Sequence, residues 1–213
     1  MANLCWTTVT VQSGKGYLDN LQKEFDAAFE KGSQELGVKT HLTKLLEHIG
    51  YKLDGDCLKK DGKQAPEHRG EIAYIERTSD EELMLDMESD WVPMLGCIVQ
   101  FVDEFIPEDE VQIFYRAEEP GCGILWTNDP DYDGVYCFNS DLDSLDKEYK
   151  CLKTLENAGS YVDEATLKKC LKKFVGHDGS ICRLISDANS KLNRLTDGQA
   201  WIYADQYQWQ EIA

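Results

Sequence analysis

Residues 88–139, ESDWVPMLGCIVQFVDEFIPEDEVQIFYRAEEPGCGILWTNDPDYDGVYCFN, decide how this chain folds. Met94, Leu95, Ile98, Phe101, Val102 and Phe105 recur at helical spacing and make one apolar stripe. Pro93 stands in the first turn of that helix, where its missing N–H costs nothing, and Pro107 ends it. Val111, Ile113, Tyr115 and Ala117 then alternate with Gln112, Phe114 and Arg116, the period of a strand. Glu118-Glu119-Pro120-Gly121 turns the chain into two short β-forming runs, Gly123–Thr127 and Gly134–Phe138, which the spacing predicts to pair as a hairpin.

Upstream, Leu4–Val11 is β-branched and aromatic and ends at Ser13-Gly14-Lys15-Gly16: a strand and its turn. Leu18, Leu21, Phe25, Ala28 and Phe29 mark a helix ending near Gly32. Val38, Leu42, Leu45, Leu46 and Ile49 mark a second, stopped by Gly50. Residues 51–70 are polar and broken by Gly and Pro, a loop or a short hairpin. Glu71–Arg77 and Glu82–Glu88 read as a hairpin around Thr78-Ser79-Asp80-Glu81. The order is strand, helices, hairpin, helix, strand. That predicts an α+β fold with a ferredoxin-like βαββαβ core and an added hairpin over residues 1–140.

From about Asp141 the composition shifts to helix formers and lysines. Three amphipathic segments follow, built on Leu145–Leu155, Leu167–Phe174 and Ile181–Leu195. Asp163 and Ser180 stand as N-caps, and Gly159 and Gly176 as stops. Residues 141–213 are therefore expected to form a helical extension, with Trp201–Trp209 as a strand returning to the first domain.

A chain of 213 residues with 42% hydrophobic residues, five Trp and ten Tyr can build a real core, which excludes a disordered protein. No run is long and apolar enough for a membrane helix, and MANLCWTTVTV lacks the basic and apolar regions of a signal peptide. The expectation is a soluble, cytoplasmic protein. The cysteines (Cys5, Cys57, Cys97, Cys122, Cys137, Cys151, Cys170, Cys182) show no C-x-x-C spacing, so zinc-ribbon, thioredoxin-like and iron–sulfur chemistry have no local support. They read as reduced and mostly buried thiols, with Cys97, Cys170 and Cys182 inside apolar helical patterns.

The formal net charge is −18, and residues 76–148 carry all of the excess, with 21 acidic side chains against 3 basic ones. A surface of that sign repels phosphate backbones and suits a basic protein partner or a cation.

Asp90-Trp91-Val92-Pro93, the helix end Phe105-Ile106-Pro107, the strand after it and Glu119-Pro120-Gly121-Cys122-Gly123 together resemble the YubB-type ferredoxin-like proteins. Asn3-Leu4-Cys5 is similar to the short Asn-x-Cys strand that opens many members. The resemblance covers roughly the first 140 residues, with Val92 and a single Pro where typical members carry Trp before a Pro pair. It implies a ferredoxin-like fold and a home on phages, plasmids and other mobile elements. It implies no reaction and no catalytic residues.

Asp129-Pro130-Asp131-Tyr132-Asp133-Gly134 matches the start of a calcium loop, whose alternate oxygens converge on one hard cation. The twelfth position is Ser140 instead of Glu, and Asp-Pro and Asp-Gly are equally hairpin signals, so a turn is the stronger reading. Asp129, Asp131 and Asp133 stay as candidate ligands for calcium or magnesium. Glu118 and Glu119, near Trp126, form a carboxylate pair that reads as a solvated edge before it reads as acid–base machinery. His41 and His48 lack a third ligand. Lys168, Lys169, Lys172 and Lys173 make one basic helical face. No G-x-S-x-G, P-loop or dinucleotide fingerprint is present.

These readings converge on a non-enzymatic accessory protein of a mobile element. It would engage a basic protein through an acidic face that includes Glu108, Asp109, Glu110, Glu118 and Glu119. Blocking a nucleic-acid-binding protein by mimicry, in an anti-defence role, is one form of this, with no direct nucleic-acid or membrane binding expected. The alternative is a small cation-dependent enzyme or calcium-binding module built on Asp129–Asp133.

Overall fold

Alternation of Cys5, Thr7, Val9 and Val11 with Trp6, Thr8, Thr10 and Gln12 makes a strand that buries one face and exposes the other. The computed structural model, which describes residues 4–29, 40–55, 57–119, 123–145, 150–157 and 161–212, places this strand, β1 (Leu4–Ser13), inside the largest sheet. Helix α1 (Lys15–Ala28) buries Leu18, Leu21 and Phe25 and ends four residues before Gly32. A two-residue strand, β2 (Thr40–His41), precedes α2 (Leu42–His48), and Gly50 stops that helix at φ 97°.

The polar segment after Gly50 forms a small antiparallel sheet of β3 (Lys52–Asp54), β4 (Cys57–Lys60) and β5 (Lys63–Gln64), one strand more than the hairpin considered for it. Next come the expected hairpin, β6 (Gly70–Ser79) and β7 (Glu82–Asp90), then α3 (Leu95–Asp103), β8 (Val111–Glu119) and β9 (Ile124–Thr127). Helix α3 starts two residues after Pro93 because the chain first makes a tight turn. The Val92 amide donates to the Asp90 carbonyl at 2.8 Å across Trp91, which sits at φ 67°, the pattern of a γ-turn. Ser89 Oγ donates to the Val92 carbonyl at 2.8 Å and holds this turn.

Strand order across the large sheet includes β8-β1-β7-β6, each neighbour antiparallel, so β1 and β6 run the same way with β7 between them. Its core joins Val9, Val11, Leu85 and Tyr115 to Phe25, Leu45 and Phe101 of the helices. Burial of apolar side chains at roughly 25 cal/mol per Å² is the main favourable term here.

The hairpin expected between residues 123 and 138 does not form. The chain divides into two compact units, one of residues 1–129 with 209–213 and the other of 130–208. The second unit contains β10 (Val135–Asp141), α4 (Lys150–Asn157), β11 (Tyr161–Asp163), α5 (Glu164–Val175), α6 (Ile181–Thr196) and β12 (Trp201–Gln206). β10 has β11 on one edge and β12 on the other, so it offers β9 nothing to pair with. β9 in turn lies between β8 and the closing strand β13 (Gln208–Trp209). At the end of β9, the Asn128 side chain accepts from the Tyr115 amide at 2.7 Å and donates to the Ile113 carbonyl at 2.9 Å. One amide thus satisfies the β8 edge where backbone pairing stops.

The three downstream segments form helices that place Leu152, Leu171 and Leu184 on a second core with Ile202, while Leu145 lies ahead of α4 and Leu195 is exposed. Asp163 caps α5 by accepting from the Thr166 amide at 2.9 Å, and Ser180 caps α6 by accepting from the Arg183 amide at 3.4 Å. Gly176 ends α5 at φ 88°. Gly159 lies outside the described residues. The terminal strand expected to return to the large sheet is split, since β12 completes the three-stranded sheet of β10 and β11 and only β13 reaches the large one. No helix among the described residues is long and apolar enough to cross a membrane.

Candidate acidic binding site

At one end of the large sheet three pieces of chain converge. β1 finishes at Ser13, the β6–β7 turn passes through Glu81, and Glu108–Glu110 makes a 3-10 turn ahead of β8. Together they line an open groove of about 670 Å³. Glu81, Glu82, Glu108, Asp109 and Glu110 all contribute to its walls, and among the described residues no basic side chain does. Ser13 fastens both sides, its amide donating to the Glu81 carbonyl at 3.2 Å and its hydroxyl to the Glu110 carbonyl at 2.6 Å. Glu82 accepts from Gln12 Nε2 at 3.2 Å and from Thr78 Oγ1 at 2.6 Å.

Two cations on the adjoining segments have partners of their own. Lys15 Nζ lies 2.8 Å from the Asp80 carboxylate and holds that carboxyl below its ordinary range. Arg77 donates to the Ser79 and Asp80 carbonyls. Burial, and then the charge of Glu108, raises the Asp103 carboxyl from its ordinary value.

The five acidic residues picked out by sequence do not share one face. Glu108, Asp109 and Glu110 precede β8, while Glu118 and Glu119 lie at its far end, separated by the length of a nine-residue strand. Glu118 and Glu119 are successive strand residues and point to opposite faces. Glu119 is buried at 5% exposure, and Glu118 lies 3.3 Å from Arg116 Nε on the other face. They cannot act as a carboxylate pair.

Asp131 and Asp133 are exposed, and the Asp133 amide donates to the Pro130 carbonyl at 3.2 Å, closing a turn. The Asp129 amide donates to Thr127 Oγ1 at 2.9 Å. No group of three or more His, Cys, Asp or Glu among the described residues is arranged to hold a metal ion. His41 and His48 stand in separate settings, 3.3 Å from Glu71 and 2.8 Å from Glu24.

Seven of the cysteines are free thiols, and Cys122 lies outside the described residues. Cys5, Cys97 and Cys137 are buried; Cys182, expected on an apolar stripe, is exposed on α6. Burial pushes Cys97 up to about 12, so it is no thiolate nucleophile near neutral pH. On α5, Lys172 lies 2.7 Å from Asp178.

Sequence reasoning missed a second acidic surface, the face of β6, β7, β1 and β8 turned away from the helices. Its middle row places Tyr74, Asp86, Thr8 and Arg116 side by side, and the row below it places Glu71, Glu88, Trp6 and Glu118. The signal was available in the parity of β1: once Val9 and Val11 face the core, Trp6 and Thr8 must face away. Comparison with protein-family models, curated proteins and solved structures finds no match for this chain.

Proposed function

We propose that this chain is a non-enzymatic binding protein that engages a basic protein partner through the acidic groove at the end of its large sheet. The observation that carries this reading is the groove wall itself: among the described residues, five carboxylates and no cationic side chain, on a frame pinned from both sides by Ser13. Such a surface attracts clustered lysine and arginine and speeds encounter with them. It fits partners that themselves grip nucleic acid, with the acidic wall standing in for phosphate. The order β8-β1-β7-β6, with all neighbours antiparallel and helices in the two crossovers, supports a ferredoxin-like βαββαβ core. The resemblance of Asp90–Gly123 to the YubB-type proteins supports a mobile-element origin.

Capture from cell lysate tests the reading when the wild-type chain is run beside a Glu108→Lys, Asp109→Lys, Glu110→Lys variant. Proteins bound by the wild type should elute as salt rises and be missing from the variant. The same proteins retained by both would refute it.

A further inference from the structure

On the sheet face turned away from the helices, Trp6 is 54% exposed and lies directly opposite Glu118 on one side and Glu88, itself buried at 8% exposure, on the other. Side chains so placed on one face of an antiparallel sheet have Cβ atoms about 5 Å apart. Glu71 extends the same row, and Asp86 and Glu76 belong to the rows above it. Among the described residues of these rows Arg116 is the one Lys or Arg, its guanidinium lying 3.3 Å from Glu118 and 3.4 Å from Thr8 Oγ1, and His41 lies 3.3 Å from Glu71. Tyr74 presents a second ring at 49% exposure, and its hydroxyl titrates higher than usual, chiefly because of the Glu76 charge.

We propose that this face binds an arginine-bearing segment of a partner protein, with the guanidinium stacked on Trp6 beside Glu118. The inference rests on the reading of the chain as a binder of basic proteins and adds a second surface with its own side-chain preference. An exposed indole is the best ring for a cation, and a planar guanidinium both stacks on it and forks to a neighbouring carboxylate. Lysine offers a point charge that does only the first. Exposed aromatics on a sheet also suit stacked bases, but the excess of carboxylates on these rows repels a phosphate backbone.

Calorimetric titration of the full chain with an oligoarginine peptide, an oligolysine peptide of equal length and a single-stranded oligonucleotide tests this. Oligoarginine should bind more tightly than oligolysine, and the oligonucleotide should not bind. Trp6→Ala should weaken oligoarginine binding roughly two- to fivefold and remove the preference for arginine, whereas Trp6→Phe keeps part of both. Trp6 is exposed, so neither variant should disturb the fold. A Glu108→Gln, Asp109→Asn, Glu110→Gln variant should keep the arginine preference. If it loses that preference while Trp6→Ala binds like wild type, the sheet-face assignment falls and the groove stands. If only Trp6→Ala weakens binding, the groove falls and the sheet face stands. Binding of the oligonucleotide, or of neither peptide, overturns the proposal.

Discussion

The Tyr115 hydroxyl donates to the Gln210 carbonyl at 2.8 Å, across 95 positions of sequence. Tyr115 is 2% exposed in the middle of β8, so this bond ties the last described residues into the first unit after the whole of 130–208 has intervened. The Gln210 amide donates to the Thr127 carbonyl at 2.9 Å, and Ile212 packs on the same core. Tyr115→Phe should cost about 1 kcal/mol, the usual net worth of one hydrogen bond, read as a lower denaturant midpoint at unchanged slope. Deleting residues 209–213 removes the bond, the Thr127 contact and Ile212 together, and should cost more. Equal midpoints for all three chains would show that the tail contributes nothing.

The same hydroxyl gives a pH dependence. Burial, with the charges of Glu211 and Cys5 adding to it, pushes Tyr115 up from its ordinary 10.0 to about 12. Between those values the native state keeps a proton that the unfolded state has lost. The stabilisation is therefore complete below pH 10 and disappears as pH rises through about 12. An ultraviolet absorbance titration of wild type and Tyr115→Phe should differ by one late-titrating phenol. Loss of a phenol that titrates near the ordinary value would contradict the burial argument.

Gly70 pairs with Ser89 across β6 and β7 where there is no room for a side chain. A Cβ there would meet the Glu88 carbonyl at 2.6 Å and Ser89 Cβ at 2.9 Å. Gly70→Ala should destabilise by about 1–3 kcal/mol, the cost of overpacking rigid surroundings. Gly16, inside α1, meets nothing within 4 Å, so Gly16→Ala should instead stabilise by up to about 1 kcal/mol. Thermal melts of the two variants moving in the same direction would refute the steric account.

Most of the first unit was legible because its signals are local. Val9 and Val11, the stripe from Leu95 to Val102, and the hairpin at Ser79–Asp80 each specify an element without help from distant residues. The partner of a strand is a different matter. Ile124–Thr127 and Val135–Phe138 carry the pattern of a hairpin, and what separates them is competition from β11, β12 and β13 for their edges, which no window of sequence contains. The candidate site divided in the same way. Glu108–Glu110 was visible as a charge run, whereas Glu81 and Glu82 join it only through the register of β1 with β7 and β8.

In the second unit, Asp163 makes a prediction at low pH. Its hydrogen bond from Thr166 at the start of α5 holds its carboxyl below the ordinary 3.8. The contribution is present above that value and is lost as pH falls through the lowered native one. Asp163→Ala should lower the melting temperature at neutral pH and flatten the dependence below pH 4, because the group that titrates is gone. Asp163→Asn keeps a cap and should retain most of the stability. An Ala variant as stable as the Asn variant would mean that α5 does not depend on its cap.

The aspartates at 129, 131 and 133 bear on the cation alternative directly. Calcium needs six or more oxygens converging at about 2.4 Å, supplied in a calcium loop by chain that curls around one point. Here Pro130–Tyr132 instead forms a 3-10 turn, with Asp131 and Asp133 exposed and Ser140 at the position where a calcium loop supplies its bidentate carboxylate. Any ligand that binds only the folded chain must raise its melting temperature, by about 2.7 kcal/mol of stability at a hundredfold excess over the dissociation constant. Millimolar calcium or magnesium should therefore leave the melt of the wild type where it is, and Asp131→Asn should make no difference to either curve. A rise with calcium that Asp131→Asn abolishes would return the turn to the list of functional sites and displace the protein-binding reading from its first place.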